Sequence, residues 1–270
     1  MATIVRQPVG ESLRLWRERR GQSQLALATE VGISARHLSF VETGRSTPGR
    51  EVLLRLADAL RMPARDCNEL LVAAGYAPIE SRISPDSPEM ASVRAAIRQV
   101  LVGHEPFPAL AVDRYWNLVE LNAGVELFTD GAAPFLLEPP MNVLRLALHP
   151  QGMAPRIVNL TEWGSDVMRR LRRRITMVAD PYLVDLYEEL SSYPGGAVTH
   201  DEEPSGPDLF VPLQLRDGDR VLTLLSIVTV FGTPRDVTVS ELALKTFLPG
   251  DAATTTALLA RRPVPAGGSS

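Results

Sequence analysis

The sequence predicts an all-α domain of five short helices followed by an α+β domain built on an antiparallel sheet. Three observations predict this. Apolar residues recur at helical spacing up to residue 76. The Pro- and Ser-rich stretch APIESRISPDSP, residues 77–88, then breaks the pattern. Beyond it, β-rich runs alternate with helical ones and end in the hairpin signature LFVPLQLRDGDRVLTLLSIVTVF. A chain of 270 residues, 45% of them hydrophobic, has material for two ordinary cores. The expected boundaries are 1–76 for the first domain, 77–106 for a linker and connecting helix, 107–254 for the second domain and 255–270 for a C-terminal tail.

In the first domain, Leu13 and Trp16 give the first helix its apolar face and Gly21 stops it. Ser23 caps the second helix and Gly32 ends it. Ser34 caps the third, in which Leu38 and Val41 face inward; Gly44 ends it, and Pro48 prevents continuation. The fourth runs from about Glu51 to Leu60, with Leu53, Leu56, Ala57 and Leu60 in register, and Pro63 and Gly75 bracket the fifth.

In the second domain, ALAVDRYWNLVELN (109–122) reads as two strands joined at a tight turn around Asp113 and Arg114, with Trp116, Leu118 and Leu121 turned to one side. A helix opening at Asn159, with Glu162 in a capping-box position, repeats Leu160, Trp163, Val167 and Leu171. Asp180-Pro181 opens another, with Leu183, Leu186, Tyr187 and Leu190. Asp217-Gly218 predicts a type I′ turn between an edge strand containing Pro212 and a central strand, Val221–Phe231, which is apolar on both faces and expected to be covered by helices. Residues 241–248 give one more strand. Helices inserted between the second and third strands of an antiparallel sheet make a PAS-like arrangement.

No apolar run approaches the roughly 20 residues that cross a bilayer, and the start MATIVRQPVG lacks the apolar centre of a secretion signal, so a cytoplasmic protein without membrane contact is expected. Cys67 is the only cysteine, which excludes an internal disulfide and a cysteine-based zinc site and suits a core thiol. His37, His104, His149 and His200 have no helical partner at metal-ligand spacing, and His149 before Pro150 reads as a helix end. G-x-S-x-G, P-loop and G-x-G-x-x-G patterns are absent. We therefore expect no catalytic residue, metal or cofactor, and no enzyme.

Net charge is −4 but unevenly spread. Residues 1–80 carry 11 Arg against 9 acidic residues, whereas 81–270 carry 17 basic against 23 acidic. Between residues 10 and 50 the balance is 7 Arg against 4 Glu, which points to a nucleic-acid-binding end on an acidic protein. In the same region, QLALATEVGISARHLSFVETGRSTP (24–48) separates two short helices by only Gly32, Ile33 and Ser34. So close a crossing is that of a helix-turn-helix, where one helix braces another whose outer face enters the major groove. Ala28 is small at the contact, Gly32 permits the sharp turn, and Leu27, Val31, Ile33, Leu38 and Val41 close one apolar core.

This stretch, with the following ETGRSTP and the five-helix plan, resembles the XRE and lambda-repressor-like helix-turn-helix family. The resemblance implies that Gln24 begins the bracing helix and touches phosphate. It implies that the reading helix runs from Ser34 to about Glu42, with Ala35, Arg36 and Phe40 at base-contacting positions, and that Glu42 pairs with Arg17. Arginine can grip guanine O6 and N7 with two hydrogen bonds. Arg36 could also stop at a phosphate, which would position without specifying, and Phe40 could instead be a packing surface. His37 and Ser39 suit the DNA backbone, and Arg45 and Arg50 suit phosphates.

The segments LLVAAGYAP, AVDRYWNLVELNA (111–123), NVLRLALHPQGMAPRIVNLTEW (142–163) and VTVFGTPRDVTVSELALKTFLPGD (228–251) resemble MmyB-like transcriptional regulators, whose second domain is PAS-like and binds ligand. Lys245 departs from that pattern, where an acidic residue is expected. The resemblance implies a homodimeric, ligand-responsive regulator of an inverted-repeat double-stranded DNA operator. Candidate apolar ligand contacts are Trp116, Phe128, Leu144, Leu148, Trp163, Phe210 and Phe231, each readable as plain core instead; Arg145, Arg156 or Asn159 could orient a carboxylate or carbonyl. The expected ligand is a small hydrophobic molecule, such as a fatty-acyl acid. The alternative is a second domain that binds a protein partner, as an antitoxin or scaffold does. In MRRLRRRI (168–175), Arg169, Arg170, Arg172, Arg173 and Arg174 read either as a second DNA contact or as a solvated face that pairs with the acidic loop at Asp201–Pro204.

Overall fold

The computed structural model describes residues 8–79, 87–178, 180–196, 211–230 and 237–261. The described residues divide into two compact units, the first holding those up to 79 together with Val237 and the second the remainder. The first holds five helices: α1 (Val9–Arg19), α2 (Gln24–Val31), α3 (Ala35–Glu42), α4 (Arg50–Ala59) and α5 (Ala64–Ala73). Their stops are local. The Ser23 hydroxyl accepts from Ala26 N, and Gly32, at φ 73°, closes α2 with its N–H on Ala28 O and Thr29 O. Ile33 N also donates to Ala28 O (2.9 Å), and Ser34 Oγ accepts from His37 N (3.0 Å). A left-handed residue is needed at Gly32, because only a Schellman-type close lets α3 restart within three residues.

Leu13, Trp16, Leu27, Ala28, Val31, Leu38, Val41, Leu53, Leu56, Leu60, Leu70 and Leu71 form one buried cluster, with Cys67 at its edge and Ile33 partly buried against it. Each fully buried leucine contributes about 1.5–3 kcal/mol. Arg20 ties α1 to the end of α4 by donating to Leu60 O (2.9 Å) and Arg61 O (3.0 Å).

The second unit contains α6 (Pro88–Gly103), β1 (Ala109–Val112), β2 (Leu118–Leu121), α7 (Glu126–Thr129), α8 (Val143–Leu148), α9 (Leu160–Val178), α10 (Pro181–Ser191), β3 (Leu213–Asp217), β4 (Arg220–Val230), α11 (Val237–Ser240), β5 (Ala243–Pro249) and α12 (Ala252–Ala260). The antiparallel sheet has the order β2-β1-β5-β4-β3, with α7 to α10 inserted between its second and third strands. Alternation along the strands separates two faces. Leu110, Val112, Leu213, Leu215, Leu222, Leu224 and Phe247 face the large core with Leu148, Trp163, Met168, Leu171, Leu183, Leu186 and Leu190 from α8, α9 and α10. Ala109, Ala111 and Leu244 face the opposite way, against Ile97 and Leu101 of α6.

The segment expected as a linker and connecting helix contains α6, which covers one face of the sheet. Several other expectations are corrected. The residues expected as a tail begin inside α12, where Thr254 Oγ1 accepts from Thr223 N (2.9 Å) and Leu258 is buried. In the β3–β4 hairpin, Asp217 pairs with Arg220, and Gly218 has φ 59° while Asp219 does not join it at positive φ. That is the requirement of a type II′ turn, not type I′. The far half of β4 is uncovered, with Ile227, Val228 and Val230 exposed at 47%, 46% and 62%.

The side chain of Asn159 reaches across to the sheet. Its side-chain nitrogen donates to Pro212 O (2.9 Å) and its oxygen accepts from Gln214 N (3.0 Å), so it clasps the edge strand β3 to the start of α9. Trp116 lies in the β1–β2 turn at φ 67°, not on a strand, and Leu121 is 40% exposed. Asp113 shapes that turn by accepting from Tyr115 N and Asn117 N (2.8 and 2.9 Å).

Candidate DNA-reading face and candidate ligand site

Leu38, Val41 and Glu42 fix the inner side of α3, leaving Arg36 exposed and Ala35, His37, Ser39 and Phe40 partly exposed. The Arg36 guanidinium lies 5.4 Å from the Phe40 ring centroid one turn on. An i,i+4 cation–π contact of about 0.5–1 kcal/mol narrows the arginine's rotamers without removing its donors. Phe40 therefore has a structural task on the same face. Arg45 and Arg50 are exposed in the loop after α3 and at the first turn of α4, and the Ser34 hydroxyl is engaged as the α3 cap.

Glu42 is buried and bound from three sides. Arg17 Nε and Nη2 donate to its two oxygens at 2.6 and 2.9 Å, and Gln24 Nε2 donates at 2.8 Å. Arg17 Nη1 also reaches Gln22 O (2.9 Å). This bidentate pair joins α1 to the end of α3. Gln24, the expected phosphate contact, spends one amide donor inside the protein and keeps another.

In the second unit, Phe128, Leu144, Leu148 and Trp163 are buried in the large core, and Phe128 meets Phe247 edge-on with centroids 4.7 Å apart. Phe210 and Phe231 lie outside the described residues, as does the acidic loop at 201–204. The three polar candidates have structural partners. Arg145 Nε and Nη2 donate to Glu189 Oε1 and Oε2, both at 2.7 Å, joining α8 to α10. Burial and Glu189, which also accepts from Tyr193, push the Tyr193 hydroxyl up to about 12. Arg156 donates to Leu127 O, Asp130 O and Arg216 O, and Asn159 is the strand clasp described above. His149 ends α8 and accepts from Gln151 N at 3.0 Å.

In the arginine run, Arg169 and Arg170 share Asp166 (3.2 and 2.7 Å), Arg174 is partly buried, and Arg172 and Arg173 are exposed. Burial lowers the Arg174 pKa, with nearby Arg114 adding to the effect.

Sequence reasoning noted Lys245 only as a departure from the family pattern and assigned it no site. Its ammonium lies 5.7 Å from the Trp116 centroid, 6.0 Å from Trp163 and 5.3 Å from Phe247. The available signal was its place in A-L-K-T-F, where alternation puts it on the core-facing side with Ala243 and Phe247.

Among the described residues there is no group of three His, Cys, Asp or Glu able to hold a metal, and no helix long and apolar enough to cross a membrane. Comparison with protein families matches residues 8–70 to a helix-turn-helix domain and residues 93–260 to the MmyB-like transcription regulator ligand binding domain. Fold and matches together define a DNA-binding transcription regulator with a ligand-binding domain. The second match spans more than half of the sequence, and the chain belongs to the MmyB-like transcription regulator family. No curated protein matches it.

Proposed function

We propose that this regulator binds an inverted-repeat operator as a cytoplasmic homodimer, reads bases through α3, and responds to a small hydrophobic ligand in its second domain. The observation that carries the reading is the division of α3. Its inner side is locked by Leu38, Val41 and the Arg17–Glu42 pair, while its outer side offers Arg36 stacked on Phe40. Arg36 is assigned to a base edge. Ala35 and Phe40 are assigned to base-contacting positions beside it, Gln24, Ser34, His37 and Ser39 to the DNA backbone, and Arg45 and Arg50 to phosphates.

Two variants separate these roles. Arg36→Ala is expected to lose about 1–3 kcal/mol of discrimination at one base pair. Arg45→Ala is expected to weaken all sequences alike and to lower the salt dependence by about one unit of slope. Anisotropy titrations on matched and single-mismatch duplexes over a salt series measure both. Identical behaviour of the two variants would refute the assignment.

For the second domain, organic-solvent extraction of the purified protein followed by mass spectrometry is expected to find a stoichiometric hydrophobic molecule. Its absence after refolding and renewed incubation with cell extract would favour a domain that answers to a protein partner.

A further inference from the structure

Five arginines occur within residues 169–174 of α9, and the helix itself does not account for them. They lie short of its last turn, which holds no basic residue. The negative end of the helix dipole, whose effect fades within one turn, therefore does little for them. Carboxylates are scarce too. Asp166 takes both Arg169 (3.2 Å) and Arg170 (2.7 Å). Four residues to either side of Arg172 stand Met168 and Thr176, and of Arg173, Arg169 and Met177. Both side chains are exposed, and among the described residues neither makes a hydrogen bond or ion pair.

The spacing instead sets like charges against one another. Arg169 stands three and four residues before Arg172 and Arg173, and Arg170 three and four before Arg173 and Arg174. Each such pair destabilises a helix. Met168 and Leu171 are held on the buried side, so Arg169, Arg172 and Arg173 share about 100° of arc on the outer side. This basic face is local, because residues 81–270 as a whole carry 17 basic against 23 acidic residues. Clustered positive charge that opposes folding and meets no internal partner is complementary to closely spaced anions.

A DNA duplex presents one phosphate charge per about 1.7 Å of its axis, and the planar guanidinium fork suits phosphate. The outer arc from Arg169 to Arg173 offers only arginine. It lacks the aromatic or aliphatic anchor that centres a protein interface, which favours phosphates over an acidic protein surface. We propose that the outer side of α9, through Arg169, Arg170, Arg172 and Arg173, is a second, sequence-independent contact for DNA phosphates. It rests on the helix-turn-helix unit bringing the chain to DNA and not on the assignment of Arg36 to a base. It places part of the DNA affinity in the ligand-binding domain, where a ligand can alter it.

The test compares full-length wild type with Arg172→Gln/Arg173→Gln and with Arg216→Gln/Arg220→Gln. The second pair is exposed in the β3–β4 hairpin and removes the same charge elsewhere. Anisotropy follows binding to a labelled mixed-sequence duplex of about 60 base pairs from about 50 to 200 mM salt. Loss of two phosphate contacts should lower the salt slope by about 1.8, so wild type should lose about tenfold more affinity than the α9 variant across that range. The hairpin variant should keep nearly the wild-type slope, since exposed charges beyond about 10 Å are screened. Melting of the free α9 variant should match or exceed wild type, because repulsion is relieved. An unchanged slope in the α9 variant would overturn the contact and leave an acidic protein surface as the partner. An equal change in both variants would reduce it to overall charge and overturn it as well. So would a clear fall in melting of the α9 variant, which would mean that the arginines are paired within the chain, or failure of wild type to bind the duplex at the lowest salt.

Discussion

Glu42→Ala is expected to lower the melting temperature of the N-terminal unit by more than about 10 °C, since roughly 3–5 kcal/mol is lost when one member of a buried ion pair is removed and each kcal/mol moves a domain of this size by about 4–8 °C. The cost comes mainly from what remains. Arg17 would keep its contact with Gln22 O and a longer one to Glu18 at 3.7 Å, but lose both carboxylate oxygens at 2.6 and 2.9 Å, and Gln24 would lose its acceptor. A double change to Arg17→Met and Glu42→Leu should recover much of the loss, because an apolar pair leaves no buried charge unpaired. Calorimetry of the three variants checks this; equal melting of Glu42→Ala and wild type would contradict it. Because the pair joins α1 to the end of α3, the same substitution should also blur sequence reading.

Gly10→Ala is expected to destabilise the same unit by about 3 kcal/mol, the upper end of an overpacking change. Helix propensity argues the other way, since alanine gains about 1 kcal/mol over glycine inside a helix. Packing decides the sign. A Cβ at Gly10 would lie 2.4 Å from Val41 O and 2.6 Å from Glu42 O, both backbone atoms that no rotamer change can remove. Helix α1 would have to lift from the end of α3 and stretch the Arg17–Glu42 bonds. Urea denaturation measures the change, and a variant more stable than wild type would show that the close approach is not rigid.

The first unit was legible in the sequence because its information is local. Ser23, Gly32 and Ser34 set two caps and a turn within 12 residues, and the apolar positions that bury there lie one or two helical turns apart. Even the Arg17–Glu42 pair, 25 residues apart, was reached only through family resemblance. In the second unit the strands and most helices could be read from period and turn residues, but the use of individual polar side chains could not. Arg145 looks available until Glu189, 44 residues on, is folded against it. Arg156 bonds carbonyls 26 to 60 residues away, and Asn159 is taken by a strand more than 50 residues later. Strand alternation puts Lys245 on the core-facing side, but its closeness to Trp116 and Trp163, both distant in sequence, is set only by the fold.

The protein is a two-part regulator: α3 is braced by a buried ionic clasp, and in the second domain Lys245 lies among the rings of Trp116, Trp163 and Phe247. The most direct test is selection of bound duplexes from a random-sequence pool by the full-length protein, followed by footprinting on the enriched sequence. The expected result is an inverted repeat whose half-site centres lie about 34–36 Å apart, one helical turn, protected on one side of the duplex and lost on Arg36→Ala. A pool that enriches no sequence, or one that enriches equally with wild type and Arg36→Ala, would contradict it.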